Sequence, residues 1–187
     1  PGVTFVDLVK ETLKHGLVPA IVPELKTITI GGAVSGCSVE SLSYRYGGFH
    51  DTALEYEVVT GTGDIVTCSP TRDAELFHMM HSSYGTLGIL TKLTFKLLPA
   101  KPFVRMEYLS FERFEDFRDA LLARCRDPKT EFVDGIVHGP TKHVLCLGTF
   151  VDTPPYTSDY TFLNIFYKST ASRTEDFLTT PDYFFRY

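Results

Sequence analysis

Thr29-Ile30-Gly31-Gly32-Ala33-Val34-Ser35-Gly36-Cys37-Ser38 and Gly85-Thr86-Leu87-Gly88-Ile89-Leu90-Thr91 are the stretches whose reading decides the fold. Each sets glycines at the end of a strand-like apolar run. Backbone without a Cβ can there approach a ligand closely and offer N–H donors. A long stretch of sequence separates the two, too long for one loop, so they act together only if the polypeptide folds back and both line one groove. Such a groove suits a large, flat, phosphate-bearing cofactor. Neither run is a GxGxxG fingerprint or a P-loop, which makes a Rossmann or nucleoside-triphosphatase reading poor. Taken singly, each is as readily a turn entering a buried strand. Two such runs in one short region weigh against that reading.

Working outward, Thr4 caps a helix running to about Lys14, with Phe5, Leu8, Val9, Thr12 and Leu13 on one face and Gly16 as its stop. Leu17 to Val22 is a short apolar piece broken by Pro19. Glu40 to Tyr46 reads as a short helix ended by Gly47-Gly48. Leu54 to Val59 alternates as a strand, Thr60 to Asp64 is a hairpin turn, and Ile65 to Cys68 returns. Asp73 to Met80 reads as a helix with Leu76, Phe77 and Met80 inward, and Ile89 to Leu97 as a strand. Leu98-Pro99-Ala100-Lys101-Pro102 marks a domain edge.

Beyond that edge the texture changes. Phe103 to Leu109 reads as a strand. Ser110 is the expected cap of a helix with an apolar stripe of Phe111, Phe114, Phe117, Leu121 and Leu122. Phe132–His138 and His143–Phe150 read as paired strands around Gly139-Pro140, with His138 and His143 expected at the surface. Glu112-Arg113 and Glu115-Asp116 read as a solvated helix face. This order suits a small α+β unit. The Pro-, Thr- and Tyr-rich stretch from Asp152 gives no clear pattern, and there are no internal repeats.

Bulk properties bound the function. The protein has 187 residues, 43% hydrophobic and 22% charged, the profile of a folded globular polypeptide. A net charge of −5 argues against a nucleic-acid partner. Fifteen Phe and ten Tyr without Trp imply an aromatic core or an aromatic-lined pocket. Cys37, Cys68, Cys125 and Cys146 are far apart and form no CxxC pair. They read as thiols of a reducing compartment, with no metal site or disulfide framework expected. No stretch approaches the about 20 apolar residues of a membrane span. The abrupt ends, Pro1-Gly2 and Tyr183-Phe184-Phe185-Arg186-Tyr187, suggest an internal piece of a longer protein.

The pattern as a whole resembles a known family. It runs through Val22-Pro23-Glu24, Thr29-Ile30-Gly31-Gly32, Gly36, Val39-Glu40-Ser41, Tyr46-Gly47, Tyr56-Glu57-Val58-Val59, Gly63, Glu75-Leu76-Phe77 and Ser83-Tyr84-Gly85-Thr86-Leu87-Gly88, then Leu97 to Lys101. These residues resemble the PCMH-type FAD-binding domain of the vanillyl-alcohol-oxidase superfamily, and within it the delta(24)-sterol reductase branch most. The resemblance covers about residues 1–105, and Asp182 to Tyr187 is similar to a later aromatic stretch of the family. It implies an α+β fold. Residues 1–101 would be the second half of the FAD-binding domain, a mixed or antiparallel sheet flanked by helices. Residues 102–187 would begin an α+β substrate (cap) domain. The first FAD subdomain, with its phosphate-binding loop, would lie before Pro1.

The resemblance further implies FAD as cofactor. Gly31, Gly32, Gly36, Cys37, Ser38, Glu40 and Ser41 would lie along the flavin and pyrophosphate, and Gly85, Gly88 and Ile89 along the adenine-ribose side. The family has Gly at the position of Cys37, so a side group there must crowd the cofactor or point away. The implied activity is reduction of a carbon–carbon double bond in the aliphatic tail of a sterol-like lipid, with NADPH as donor and the apolar second unit forming part of the lipid pocket. Other flavin oxidases or dehydrogenases of the superfamily remain open, acting on alcohols or hydroxy acids or resembling alkylglycerone-phosphate synthase. A non-catalytic scaffold on the same fold also stays open. The proton donor is unassigned; His50, His78, His81, Tyr44, Tyr46 and Tyr84 lie nearby in sequence. A sterol-reductase reading implies the endoplasmic reticulum membrane, reached through segments outside these 187 residues, and a bacterial relative the cytoplasm.

Overall fold

A computed structural model of the protein describes residues 1–160 and 165–186. It divides into two compact units, Pro1–Pro99 and Ala100–Tyr187. Helices and antiparallel sheets occur in both, an α+β architecture.

In the first unit, Pro1 to Thr4 is extended rather than helical. It lies beside the first glycine run: Gly31 N–H donates to Pro1 O at 2.9 Å and Ile30 N–H to Val3 O at 2.9 Å. Thr4 then caps α1 (Phe5–Thr12), its Oγ1 accepting from Asp7 N–H. A 3-10 turn, Leu13–His15, ends at Gly16, whose φ of 68° is the left-handed stop glycine adopts freely. β1 (Leu17–Pro19) pairs antiparallel with β5 (Leu97–Pro99). α2 (Ile30–Ser35) carries the first glycine run, and α3 (Ser43–Tyr46) and a 3-10 turn (Phe49–Thr52) follow. β2 (Ala53–Thr60) is central in a three-stranded antiparallel sheet, flanked by β3 (Ile65–Cys68) and β4 (Gly88–Phe95), with α4 (Ala74–Met79) between those two in sequence. The expected strand Ile89 to Leu97 is thus two: β4 ends at Phe95, and Leu97 turns away to meet β1.

The core of this unit is aromatic. Phe5 and Phe49 are wholly buried and meet edge-on with centroids 5.1 Å apart, and Phe95 lies 5.2 Å from Phe49. Tyr56 stacks on Phe77 at 4.7 Å. Each such ring contributes about 1.5–3 kcal/mol of burial, enough to fix the β2–α4 packing.

The second unit is a four-stranded antiparallel sheet in the order β7–β8–β6–β9, formed by β6 (Phe103–Phe111), β7 (Phe132–Gly139), β8 (Lys142–Val151) and β9 (Glu175–Thr179). α5 (Phe114–Arg126) covers one face; α6 (Phe166–Ser169) and α7 (Thr180–Phe184) are the other helices. Gly135 of β7 faces α5, where a Cβ would come 2.6 Å from Phe117 Cζ. The preceding Asp134 faces the opposite side and meets Arg186 at 2.7 Å.

Two expectations change here. Ser110 is not a helix cap. It pairs with Val144 inside β6, and α5 starts after Arg113, whose own side group does not cap the helix, with Glu115 and Asp116 in its first turn. Ladder pairing outweighs the capping preference of one serine. Phe111 therefore belongs to the sheet, and Phe114 and Leu122 are exposed, leaving Phe117 as the buried anchor of α5. His143 is not at the surface. It is buried, with its ring stacked 5.8 Å from Phe117, because α5 covers this part of β8. His138 is half-buried, with Nε2 2.9 Å from Thr170 Oγ1.

The aromatic residues of this unit fill its own interior. Phe132 packs on Tyr183 at 4.7 Å and Phe150 at 5.0 Å, and Phe166, Phe177, Phe184 and Phe185 are buried. Among the described residues no helix is long and apolar enough to cross a membrane.

Candidate functional site

The two glycine runs meet. An open groove of about 480 Å3 is lined by Thr29, Gly31, Gly32 and Ser35 from the first and by Tyr84, Gly85, Gly88, Ile89 and Leu90 from the second, with Pro1 and Gly2. Two hydrogen bonds bring the segments together: Ser82 N–H donates to Val34 O at 3.2 Å, and Tyr84 N–H to Ser35 O at 3.1 Å. β4 supplies the rest. Its register sets Gly88 opposite Thr60 and Ile89 opposite Val59.

Each glycine has its own reason. The amides of Gly31 and Gly32 are not available to a ligand: they donate to Pro1 O and to Thr29 Oγ1, at 2.9 and 3.2 Å. A Cβ at Gly31 would come 2.7 Å from Pro1 Cβ and one at Gly32 3.0 Å from Thr29 Oγ1, so these two positions serve close packing of the neighbouring segment instead of the expected donors. Gly85 has φ of 76°, and a Cβ there would meet nothing within 4 Å, so its glycine is set by the backbone and its space opens outward. At Gly88 a Cβ would sit 2.7 Å from Val59 O, so strand pairing demands the glycine.

The remaining expected residues lie elsewhere. Gly36 ends α2, its N–H donating to Gly32 O at 2.8 Å. Ser38 and Glu40 line a separate recess of about 280 Å3 with Pro23, Glu24, Leu25, Ile28 and Val39. Ser41 is buried, and its N–H donates to Glu40 Oε1 at 3.0 Å. Cys37 turns away from the groove: its Sγ contacts Ser82 Oγ and lies 3.4 Å from His50 Nδ1. Of the six histidines and tyrosines named as proton donors, Tyr84 lines the groove. His50, His78 and His81 form a ring cluster with Phe77 and Tyr56. Burial holds His81 below its ordinary value, helped by His50, and burial raises Tyr56.

Sequence reasoning names Tyr84 only among six candidate proton donors and leaves Thr29 and Ser35 out of the cofactor-binding set; all three line the groove. Tyr84 is 78% exposed with φ of 51°, a left-handed conformation that costs a non-glycine residue about 1–2 kcal/mol. Cys37 and Ser82 are also left-handed, at 56° and 57°. Their common signal in the sequence is small residues in unbroken succession, which says that backbone is close-packed but not which side groups project.

No carboxylate of the described residues lines the groove, so none in its walls repels a phosphate. The volume, the bare backbone at Gly85 and the flanking apolar faces of Tyr84 and Ile89, both exposed, fit part of a flat, phosphate-bearing cofactor.

Comparison with known proteins gives this geometry a family. Residues 1–69 match the family described as FAD binding domain. These residues of the first unit belong to that family, and the cofactor of such a domain is FAD. The protein is 32% identical over 139 residues to cytokinin dehydrogenase 9 of Oryza sativa subsp. japonica, covering 73% of its own length and 26% of that relative. It is 30% identical over 165 residues to the Delta(24)-sterol reductase homolog dhcr-24 of Caenorhabditis elegans, covering 82% and 31%. It is 28% identical over 152 residues to the Delta(24)-sterol reductase of Homo sapiens, covering 81% and 30%. The 187 residues thus span less than a third of the length of these relatives.

Proposed function

We propose that these residues are the cofactor-holding part of an FAD-dependent oxidoreductase that reduces a carbon–carbon double bond in the aliphatic tail of a sterol-like lipid, with NADPH as electron source. The observation that carries the oxidoreductase reading is the convergence of Gly31 and Gly32 with Gly85, Gly88 and Ile89 on one groove whose walls bring no carboxylate among the described residues. The sterol-like substrate rests on the Delta(24)-sterol reductase relatives. When bound, FAD supplies the hydride chemistry. In balance, one hydride from NADPH and one proton add across the double bond, leaving NADP+.

The protein's own residues hold and orient. Thr29 locks the start of α2 through Gly32 N–H, so the bare surface of Gly31 and Gly32 keeps its place. Gly85 and Gly88 keep the facing wall open. Tyr84 and Ile89 lay apolar faces along the rim and limit water there, and the Tyr84 hydroxyl is a proton source at the groove mouth. Residues 1–101 are read as the second half of the FAD-binding domain and residues 102–187 as the start of the substrate domain.

A second reading has its own support. The similarity to a cytokinin dehydrogenase is as strong as that to the sterol reductases, which favours a flavin dehydrogenase acting on a cytokinin. An anaerobic visible-absorption titration of the full-length protein separates these. Flavin bleached by NADPH and restored by a Δ24 sterol is the expected result. Bleaching by a cytokinin without NADPH would give the second reading. Absence of flavin after incubation with FAD would leave a scaffold.

A further inference from the structure

Beside the groove, three separated segments bring four ligand-type residues together: Cys37 after α2, His50 and Asp51 in the 3-10 turn, and His81 after α4. Cys37 Sγ is 3.4 Å from His50 Nδ1, and His50 Nε2 is 3.4 Å from Asp51 Oδ2. The rings of His50 and His81 lie 4.8 Å apart, and one donor atom from each of His50, Asp51 and His81 falls within 4.8 Å of the others. His81 Nε2 is shut off from solvent and has no hydrogen-bond partner. A buried ring nitrogen left unpaired costs about 1–3 kcal/mol. Such an atom calls for a bound water or ion. The imidazole of His50 and the carboxylate of Asp51 lie beside this ring, and the Cys37 thiol lies on the His50 side.

We propose that Cys37, His50, Asp51 and His81 form a binding site for a divalent transition metal, zinc first. The donor set decides the class. Imidazole and thiolate suit zinc and its neighbours, whereas magnesium and calcium take oxygen ligands. Bonds of about 2.1 Å to nitrogen and about 2.3 Å to sulfur place the ligands of a tetrahedral zinc roughly 3.4–3.7 Å apart. Around His50 Nε2, Cys37 Sγ at 3.7 Å and Asp51 Oδ2 at 3.4 Å already have that spacing, and His81, within 4.8 Å of His50 and Asp51, reaches it by a ring displacement of about 1 Å, within rotamer freedom. Asp51 Oδ2 is held by Gly48 N–H at 2.7 Å, which orients the carboxylate as outer partners of metal ligands do. Metal entry releases the Cys37 thiol proton.

The consequence reaches the groove. The ion ties the turn after α2 to the turn after α4, the segments already joined by the Ser82–Val34 and Tyr84–Ser35 hydrogen bonds. Cys37, Ser82 and Tyr84, the left-handed residues of this junction, are where a crosslink best offsets backbone strain. The site braces the wall carrying Tyr84 and Gly85 and takes no part in electron transfer.

The test is metal binding by the full-length protein, stripped with a chelator and titrated with Zn2+ against a chromophoric competitor, then with Co2+. The expected result is one equivalent bound and a cobalt spectrum with tetrahedral bands and a thiolate charge-transfer band. Cys37→Ser abolishes that band, and His50→Ala with His81→Ala, which removes two direct ligands, weakens zinc by more than the about 100-fold that losing an outer partner costs a metal site. Replacing the exposed His15 by Ala changes nothing. Zinc binding equal in wild type and the double variant overturns the proposal. If the double variant fails to fold, the wild-type cobalt spectrum decides alone: octahedral bands without the thiolate transition overturn it.

Discussion

The two units are both built on antiparallel sheets but treat their backbones differently. In residues 1–99 four non-glycine residues, Cys37, Asp73, Ser82 and Tyr84, and four glycines have positive φ; among the described residues of 100–187 there are none. The first unit gathers this strain in its turns and bends. The second concentrates charge in its interior, where Arg186 bridges Asp134, donates to Tyr183 O at 2.7 Å and lies 4.3 Å over the Tyr183 ring. Strain at a junction of loops marks a surface shaped for a ligand. A buried ion pair marks an interior shaped for itself. The contrast assigns binding to the first unit and rigidity to the second.

The largest effect that would break the contrast is expected at Arg186. Its side group is 1% exposed, and replacing it by Met leaves the Asp134 carboxylate buried without its cation. The expected loss is about 3–5 kcal/mol, read as a lower thermal transition of the second unit, with flavin retention unchanged. Adding Asp134→Asn should restore part of the loss. Failure of the second change to rescue would mean that the pair is packing rather than charge.

Next in size is Gly88→Ala. The new methyl would lie 2.7 Å from Val59 O and 2.8 Å from Val58 Cγ1, where backbone cannot yield, at a cost of about 1–3 kcal/mol. Because Gly88 lines the groove, FAD affinity should fall as well. Gly135→Ala is the matched control in the second unit. Its methyl meets the tip of the Phe117 ring at 2.6 Å, which can shift, so a smaller loss and unchanged FAD affinity are expected. Equal effects on FAD would sink the assignment of the groove.

How much of this is legible in the sequence depends on whether the signal is local. The hairpin of β2 and β3 is written in alternation and in Thr60 to Asp64, and the structure extends it by one residue at each end of β2. The two glycine runs announce a groove. They do not announce that Pro1 and Thr29 consume the Gly31 and Gly32 amides, because that depends on an extended segment that folds back beside them. Nor can spacing reveal Cys37 beside His50, or His50 beside His81. Those residues share no motif and meet only through the β2–α4 packing of Tyr56 and Phe77. Ser110 misleads for the same reason: its local preference for a cap loses to the ladder with Val144.

A smaller effect sharpens the contrast through strain. Tyr84→Gly removes a left-handed side group that is exposed, so little packing is lost. The relief of about 1–2 kcal/mol is partly offset by the greater freedom of glycine in the unfolded state, about 0.5–1 kcal/mol. The net expectation is a gain of roughly 0.5–1 kcal/mol for the first unit, together with weaker FAD binding because the rim loses its ring. Stabilisation with unchanged FAD binding would show the strain to be incidental.

The smallest expected effect is on pH. Burial, then the neighbouring His50 and His78, lower His81 from 6.5, while Asp51 opposes them. The fold therefore disfavours the protonated ring. This contribution is complete above the ordinary value of 6.5 and is lost as pH falls through the lower folded value. With chelator present, to separate this from metal loss, the melting temperature of the first unit should decline as pH drops below about 6.5, and His81→Gln should flatten that decline. The second unit should not follow it. An identical slope in wild type and variant would show that His81 does not feel its surroundings as the geometry requires.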